Sequence, residues 1–350
     1  MRPKALGHAT LAVLGVLLAV GLSIWTFRTA EASGVASVLR QAPWAFLPLI
    51  LLPQLVSLTL DSWGWVRAIQ RMGQRVPVLA ILMVRIKTEA LSQTLPLGPL
   101  WSESATPLLL KGLGVPWGIG VASVAARKYL LILSQAWFLL FSFVIGHQAL
   151  GRASQHLIGS PVLMWLPLAA AVILGSGVCF AGSLLRQGAV ATQLWKRLLG
   201  IPSRRLRAAL SSSQTHFSGT DTGLTRFFSQ RITLRMVGPY VGSWLCESLE
   251  TLLILRLLSV HLGFAEVVGF EVLLALTRNL AFMVPAGIGI QDLGYVTFFG
   301  ALGVPDPVQT GAAFSILKRS KELIWACLGY ACLARKRPIL TLEPTLTSVN

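Results

Sequence analysis

Charged residues are scarce in this chain of 350 residues, and acidic residues are the scarcest. Asp and Glu number 13 and Lys and Arg number 30, so charged residues make up only 12% of a chain that is 54% hydrophobic. The mean hydropathy is +0.69. Soluble globular domains have about a quarter of their residues charged. The composition therefore argues against a water-soluble globule and predicts an all-α, polytopic helical membrane protein.

Cysteine and histidine are also rare, and neither residue type forms a recognisable site pattern. The four cysteines lie in or beside apolar segments without a Cys-x-x-Cys motif, and the five histidines are scattered. The sequence contains no His-Glu-x-x-His, no Gly-x-Ser-x-Gly and no glycine-rich phosphate loop. We therefore predict no disulfide framework, no metal site and no cofactor, and we assign no catalytic residue.

The net charge of +17 comes from basic residues that are gathered in a few loops between apolar segments. In a soluble chain such a charge would suggest nucleic acid, but here it follows the positive-inside rule of membrane proteins. We expect no nucleic-acid partner. The basic segments predict the cytoplasmic face of the membrane, with both termini on that face.

A pattern of prolines and glycines occurs twice in the chain, with an offset of 189 residues. Segment 95–98 recurs at 284–287, and segment 113–116 recurs at 302–305. Residues of similar chemistry recur at the same offset: Asp61 and Glu250, Arg67 and Arg256, Thr88 and Thr277, and Glu103 and Asp292. This regularity predicts an internal duplication.

The two copies differ in the charge of one equivalent turn. The turn of the first copy contains Arg71 and Arg75, whereas the matching turn at 261–264 has no Lys or Arg. Equivalent turns of opposite basic content are expected on opposite faces of the membrane. The sequence therefore predicts two inverted-topology repeats, with position 73 cytoplasmic and position 262 external.

We expect one integral membrane domain over residues 1–350. Its predicted parts are a first span at 9–27 that is retained as an anchor, repeat 1 at 45–146, a connecting span at 161–184, a basic cytoplasmic loop at 186–235, and repeat 2 at 237–334. In repeat 1, an apolar segment is expected to run from Pro116 to about His147 and to end in a polar turn. Segment 97–115 is short for a span and contains Pro107, which predicts a broken or re-entrant helix.

The basic loop contains one stretch with a mixture of aromatic, basic and aliphatic residues. Segment 194–199 reads Leu-Trp-Lys-Arg-Leu-Leu. A helix that lies on anionic lipid headgroups has this composition, and a solvated connector fits equally well. Anionic headgroups are therefore one expected partner.

Prolines interrupt two apolar segments at matched positions and are followed by glycines. Such breaks free backbone polar groups within the membrane. In transporters built from inverted repeats, helix breaks of this kind lie at the repeat interface and direct helix ends at anionic groups. We therefore predict substrate binding at Pro96, Gly98, Pro285, Gly287 and Gly289. The alternative is that these residues only allow close packing of helices.

Charged residues lie at matched distances from the two prolines. Glu103 and Asp292 lie seven residues after them, and Glu89 and Arg278 lie seven residues before them. The two acids, if buried, would suit proton coupling, cation binding or recognition of an aminated headgroup, and helix capping is an equally good reading. The opposite charges of Glu89 and Arg278 predict a charge pair across the pseudo-twofold axis.

Basic residues follow the second proline of each copy. The candidates for binding a lipid phosphate are Arg127 and Lys128 in the first copy and Lys318 and Arg319 in the second, with Lys321 beside them. The alternative is that these long side chains only extend to the membrane interface.

Three segments carry a family resemblance: 61–65 (Asp-Ser-Trp-Gly-Trp), 89–96 (Glu-Ala-Leu-Ser-Gln-Thr-Leu-Pro) and 285–292 (Pro-Ala-Gly-Ile-Gly-Ile-Gln-Asp). They resemble the transmembrane region of lysylphosphatidylglycerol synthases and their stand-alone flippase-like relatives, which include hopanoid-biosynthesis-associated membrane proteins. The resemblance covers roughly residues 10 to 335 and implies movement of lipids between leaflets or membranes. The family usually has Glu in place of Asp292 and a glycine pair in place of Trp101-Ser102. A soluble aminoacyl-transferring domain follows in the synthases, and we do not expect aminoacylation by this chain.

We predict a membrane lipid transporter or flippase-like protein that moves a phospholipid or related amphiphile across or out of the inner membrane. The alternatives are a membrane-embedded enzyme that acts on a lipid-linked substrate and a non-transporting subunit of a lipid-synthesis complex. The expected substrate is a membrane lipid. The candidate protein partners are a second copy of the chain and lipid-synthesis proteins.

Overall fold

The computed structural model describes residues 32–41, 45, 47–95, 97–199, 214–280 and 289–335. The predicted first span at 9–27 lies outside these residues, as do Pro96, Pro285 and Gly287. Arg278 lies within a described helix, but its side chain is outside the described part of the chain.

The described part of the chain is all-α and contains no strand. Its helices are α1 (Ala32–Gln41), α2 (Leu47–Arg71), α3 (Val78–Thr94), α4 (Gly98–Lys111), α5 (Trp117–Ile158), α6 (Leu166–Arg186), α7 (Val190–Leu199), α8 (Gln214–Phe228), α9 (Leu234–Leu257), α10 (Phe264–Leu280), α11 (Ile290–Ala301) and α12 (Pro307–Ala334). A 3₁₀ turn, Pro161–Trp165, leads into α6.

Several of these helices have the length of a membrane span. By length and composition, the segments Pro48–Arg71, Trp117–Ile158 and Pro161–Arg186 are apolar enough to cross a bilayer. Helices α9 and α12 have 24 and 28 residues, which also suffices for a span, but each contains four charged residues. The prediction of an all-α, polytopic membrane protein is confirmed.

The helices that follow the two prolines, α4 and α11, are too short to cross the membrane. Helix α4 has 14 residues and α11 has 12, which corresponds to roughly 21 Å and 18 Å at 1.5 Å per residue. The hydrocarbon core of a bilayer is about 30 Å thick. Helix α4 begins after Leu97, which has a left-handed backbone with φ of 55°. The short segment that the sequence predicts at 97–115 is therefore present as α4, and the second copy has a short helix, α11, at the matched place.

Two local expectations about repeat 1 are wrong. Helix α4 is not interrupted by Pro107 but continues through it to Lys111, since membrane helices tolerate proline where neighbours satisfy the freed groups. Helix α5 does not end near His147 but continues for a total of 42 residues to Ile158. The polar residues after His147 extend the helix because its small residues, among them Ala149 and Ala153, are buried.

The segment predicted as a basic loop, 186–235, contains helices α7 and α8. Helix α8 packs against α5, and its apolar residues Leu224, Phe227 and Phe228 are buried. Asp221 accepts hydrogen bonds of 2.8 Å from the backbone N–H groups of both Ala191 and Thr192, which caps the first turn of α7. The cytoplasmic location of this segment and the contact of α7 with headgroups stay predictions.

The matched helices of the two copies pack in a reciprocal manner. Helices α2 and α9, which correspond at the offset of 189, pack extensively on each other. Helices α3 and α10 also correspond, as do α5 and α12. Helix α3 of the first copy packs on α12 of the second copy, and α10 of the second copy packs on α5 of the first copy. The two copies therefore share one interior. Their inverted insertion into the membrane stays a prediction.

Glycine allows close approach at both of these reciprocal contacts. A Cβ atom added to Gly329 of α12 would lie 2.6 Å from the backbone oxygen of Ile86 in α3. A Cβ atom added to Gly146 of α5 would lie 3.2 Å from the backbone oxygen of Ala265 in α10. Small residues permit such backbone contacts between membrane helices.

Site-specific labelling should locate the two equivalent turns on opposite faces of the membrane. Gln74→Cys and His261→Cys are better probes than positions 73 and 262, because Gly73 has a φ of 86° and Leu262 is buried. In a variant without the four native cysteines, we expect a membrane-impermeant thiol reagent to reach position 261 from outside intact cells. It should reach position 74 only after permeabilisation, and labelling of both from one side would contradict inverted repeats.

Candidate functional site: charge pairs within the helices

Each copy contains an ion pair between a short helix and the long helix that follows it. In the first copy, Lys128 Nζ of α5 lies 2.5 Å from Glu103 Oε1 of α4. In the second copy, the guanidinium of Arg319 of α12 lies 3.4 Å from Asp292 Oδ1 of α11. The acids differ in number by 189, the repeat offset, whereas the bases differ by 191, so the acids are matched and the bases lie two residues out of register on matched helices. The structure thus brings four predicted site residues together as two pairs.

Asp292 both caps a helix and binds a base. Its Oδ2 accepts a 2.8 Å hydrogen bond from the N–H of Gly289, which is the N-cap residue of α11 and has a φ of 83°. Its Oδ1 accepts a 2.5 Å hydrogen bond from the Ser315 hydroxyl in addition to the contact with Arg319. The cap and the charge pair are therefore compatible. Glu103 lies in the second turn of α4, behind the N-cap residue Leu97, and so does not cap that helix.

The two matched pairs differ in exposure. The side chains of Lys128 and Glu103 are 43% and 31% exposed, whereas those of Arg319 and Asp292 are 22% and 2% exposed. Arg319 also donates a 2.8 Å hydrogen bond to Glu322. The side chains of the first pair are thus partly exposed, whereas those of the second pair are largely enclosed by protein.

A second group of charges surrounds Asp61 in α2. Arg127 of α5 donates two hydrogen bonds to its carboxylate, one of them 2.7 Å from Nε to Oδ1. Arg85 of α3 donates a 2.9 Å hydrogen bond to Oδ2. The guanidinium of Arg127 also lies 5.4 Å from the ring centroid of Trp65. Asp61, at 4% exposure, therefore joins three helices of the first copy.

Glu89 completes this group. It accepts hydrogen bonds of 3.0 Å from Arg85 and from Gln93. Two carboxylates and two guanidinium groups are thereby in contact, and their formal charges cancel. The predicted pair of Glu89 with Arg278 stays a prediction, because the side chain of Arg278 is outside the described part of the chain.

The second copy has its own buried acids on α9 and α10. Glu250 binds Lys321 of α12 at 2.7 Å and 2.8 Å, and Lys321 lies 3.4 Å from Gln54 Oε1 of α2. Glu271 lies 3.6 Å from Lys318 Nζ and accepts a hydrogen bond from the Thr251 hydroxyl. All four ionic side chains are at most 7% exposed. Bases one turn apart on α12 thus reach acids on two different helices.

The sequence reading left several of these residues out of the predicted site. They are Asp61, Glu250 and Glu271, whereas Lys321 was among the candidates for binding a lipid phosphate. The signal for Asp61 and Glu250 was available, since both acids lie within apolar segments and share the 189-residue offset. No repeat signal points to Glu271, because the residue at the matched position 82 is Leu.

Two of the glycines predicted to bind substrate, Gly98 and Gly289, lie at the starts of the two short helices. Gly98 begins α4, and a Cβ atom there would lie 1.9 Å from the Ser92 backbone oxygen, so the chain turns back closely on α3. Gly289 begins α11.

Substrate binding stays a prediction for both glycines. It also stays a prediction for the basic residues Arg127, Lys128, Lys318 and Arg319. The matched spacing of Glu103 and Asp292 from the two prolines also predicts that both acids lie close to one shared polar cavity, and this too stays a prediction. In the described residues, no group of three or more His, Cys, Asp or Glu side chains is arranged to hold a metal ion.

The chain matches a known protein family over most of its length. The family described as the lysylphosphatidylglycerol synthase TM region matches residues 12–324. The chain belongs to this family. No curated protein and no solved structure matches it. Membership in the lysylphosphatidylglycerol synthase TM family links this multi-pass membrane protein to the handling of lipids.

Proposed function

We propose that this chain moves a phospholipid or a related amphiphile across or out of the bacterial inner membrane. The observation that carries the proposal is the matched pairs Lys128–Glu103 and Arg319–Asp292, of which one is partly exposed and the other enclosed. Charges within membrane helices are expensive and usually mark a substrate or ion path. In transporters built from inverted repeats, the two repeats move relative to each other so that access to the substrate alternates between the two sides of the membrane, and the unequal exposure of the two pairs fits one state of such a cycle.

The chemistry of the pairs suits a lipid headgroup. A phosphate has the charge of Glu103 or Asp292 and can replace either acid beside its base, and an amino group on the headgroup can replace the base beside its acid. A headgroup that carries both a phosphate and an amino group keeps every charge paired, because the phosphate contacts the base and the amino group contacts the acid, so it can enter without leaving an unpaired ion at membrane depth. In this proposal the two long helices, α5 and α12, bind the headgroup in turn.

Reconstitution with labelled lipids tests this function. In vesicles that contain fluorescent phosphatidylethanolamine, whose headgroup carries both a phosphate and an amino group, we expect the wild-type chain to accelerate movement between leaflets. Asp292→Asn should slow this movement roughly tenfold, because the amino group loses one charge-assisted contact. Asn retains an oxygen for the N–H of Gly289 and nearly the same shape, so the cap on α11 should persist. Only the negative charge that faces Arg319 is removed.

Asp306→Asn is the matched control for this experiment. Asp306 is exposed and lies before α12 with a left-handed backbone at φ of 45°, a conformation that Asn accepts readily. Like Asp292→Asn, this control removes one negative charge from the second copy, but the charge does not belong to the Arg319–Asp292 pair. The Asp306→Asn variant should therefore move lipid at the wild-type rate. A wild-type rate for Asp292→Asn would show that the enclosed pair is not on the path. Movement no faster than in protein-free vesicles would contradict transport of this lipid.

A further inference from the structure

A large groove lies on another part of the molecule, between α5 and α9. Its volume is about 930 Å³, and none of the charge pairs described above lines it. Most of its wall is apolar, with Leu133, Trp137 and Phe141 from α5 and Val241 and Leu245 from α9. Trp137 is 58% exposed and Phe141 is 41% exposed. The groove is therefore an apolar channel on the outer surface of the helix bundle.

Its length matches one leaflet of a bilayer. The lining residues on α5 extend from Tyr129 to Phe141, which corresponds to roughly 18 Å along the helix. Helices α5 and α9 pack on each other, and residues from 129–141 of α5 and 234–245 of α9 line the groove. Between them, Ser134 of α5 accepts a 3.2 Å hydrogen bond from Trp244 of α9. Half of the hydrocarbon core is about 15 Å thick. An acyl chain of one leaflet therefore fits along the groove.

Two arginines give one end of the groove a positive charge. Arg186 is the last residue of α6, Arg231 precedes α9, and both line the groove beside Tyr129 and Leu234. Both arginines are exposed. Within the part of the chain that the structure describes, neither guanidinium has an ion-pair partner, and no acidic residue lines the groove. The groove therefore combines an apolar length with an uncompensated charge of +2 at one end.

We propose that this groove binds one anionic phospholipid, with its phosphate on Arg186 and Arg231 and an acyl chain along Trp137 and Val241. Guanidinium groups form strong, often bidentate hydrogen bonds to phosphate. The lipid belongs to the leaflet on the side of the basic segment 186–235. This site is separate from the charge pairs, and the proposal does not require transport.

Lipid titration of the purified full-length chain, followed by native mass spectrometry, tests the site. After delipidation, we expect the wild type to bind one dipalmitoyl phosphatidylglycerol in preference to dipalmitoyl phosphatidylcholine, which carries no net charge. Arg186→Gln/Arg231→Gln should weaken phosphatidylglycerol binding by tenfold or more, because each lost charge-assisted contact contributes roughly a factor of ten. Arg235→Gln, one turn beyond Arg231 and outside this groove, should bind like the wild type.

A second variant fills the groove without changing its charge. Val241→Trp should weaken binding of both lipids, whereas Val172→Trp should have no effect, because Val172 is 58% exposed on α6 and does not line the groove. Unchanged phosphatidylglycerol binding in either the arginine or the Val241→Trp variant overturns the proposal and shows that the lipid binds elsewhere. A wild-type dimer that Val241→Trp converts to monomers also overturns it, because the groove would then hold a second copy of the chain.

Discussion

Asp61→Leu is expected to lower the free energy of unfolding by about 3–5 kcal/mol, the range for breaking a buried ion pair by removal of one partner. Asp61 is the common acceptor for Arg127 and Arg85. Without it, Glu89 is the one carboxylate left among two guanidinium groups, so one positive charge is buried and uncompensated. An unfolding titration of the purified chain in a single detergent measures the effect.

The double variant Asp61→Leu/Arg127→Leu separates charge from packing. It removes one charge of each sign and leaves Arg85 beside Glu89 at 3.0 Å. Replacing both members of a buried pair with apolar residues is often nearly neutral, so the double variant should regain at least half of the lost stability. If it is no more stable than Asp61→Leu, the loss comes from the packing around Trp65.

Glu103→Gln is the matched control for the loss of a carboxylate. Glu103 and its partner Lys128 are both partly exposed, and exposed pairs contribute up to about 1 kcal/mol. We therefore expect a change within about 1 kcal/mol. If Glu103→Gln lowers the free energy of unfolding as much as Asp61→Leu does, the burial of Asp61 is not the reason for its large contribution to stability.

Gly329→Val is expected to destabilise the protein by about 3 kcal/mol, the upper end of the usual range for overpacking. The added Cβ would lie 2.5 Å from the Cβ of Ala90 and 2.6 Å from the backbone oxygen of Ile86. Backbone atoms cannot move aside as a flexible side chain can, so α3 and α12 must separate. Because this contact joins the two copies, the same titration in detergent should report a large loss.

Two further variants define the cause of that loss. Gly175→Val is the control, since a Cβ atom at Gly175 of α6 meets nothing within 4 Å, and its effect should stay within about 0.5 kcal/mol. Gly329→Ala/Ala90→Gly removes one of the two close contacts and should be more stable than Gly329→Ala alone. Equal stability of Gly329→Val and Gly175→Val would contradict the close approach of α3 and α12.

Much of the fold could be predicted from the sequence, because its determinants are local. Apolar segments long enough for a span, and the scarcity of charge, predict membrane helices without knowledge of their neighbours. The short helices α4 and α11 could be predicted from prolines and glycines at matched positions. The prediction failed at His147, where the chain turns polar and yet the helix continues, because burial of small residues against neighbouring helices is not visible in the sequence pattern.

The sequence by itself determined the membrane class, the duplication and the matched positions of Glu103 and Asp292, because periodicity and residue type suffice for these. Only the tertiary structure decided which base binds which acid. Asp61 and Glu250 are equivalent in sequence, and each binds a base on matched helices, Arg127 of α5 and Lys321 of α12. Only Asp61 also binds an arginine of α3, Arg85. The partners lie on helices that are distant along the chain. Their contact depends on how α2, α5, α9 and α12 pack in three dimensions, and the residue types along the chain do not specify which side chains meet there.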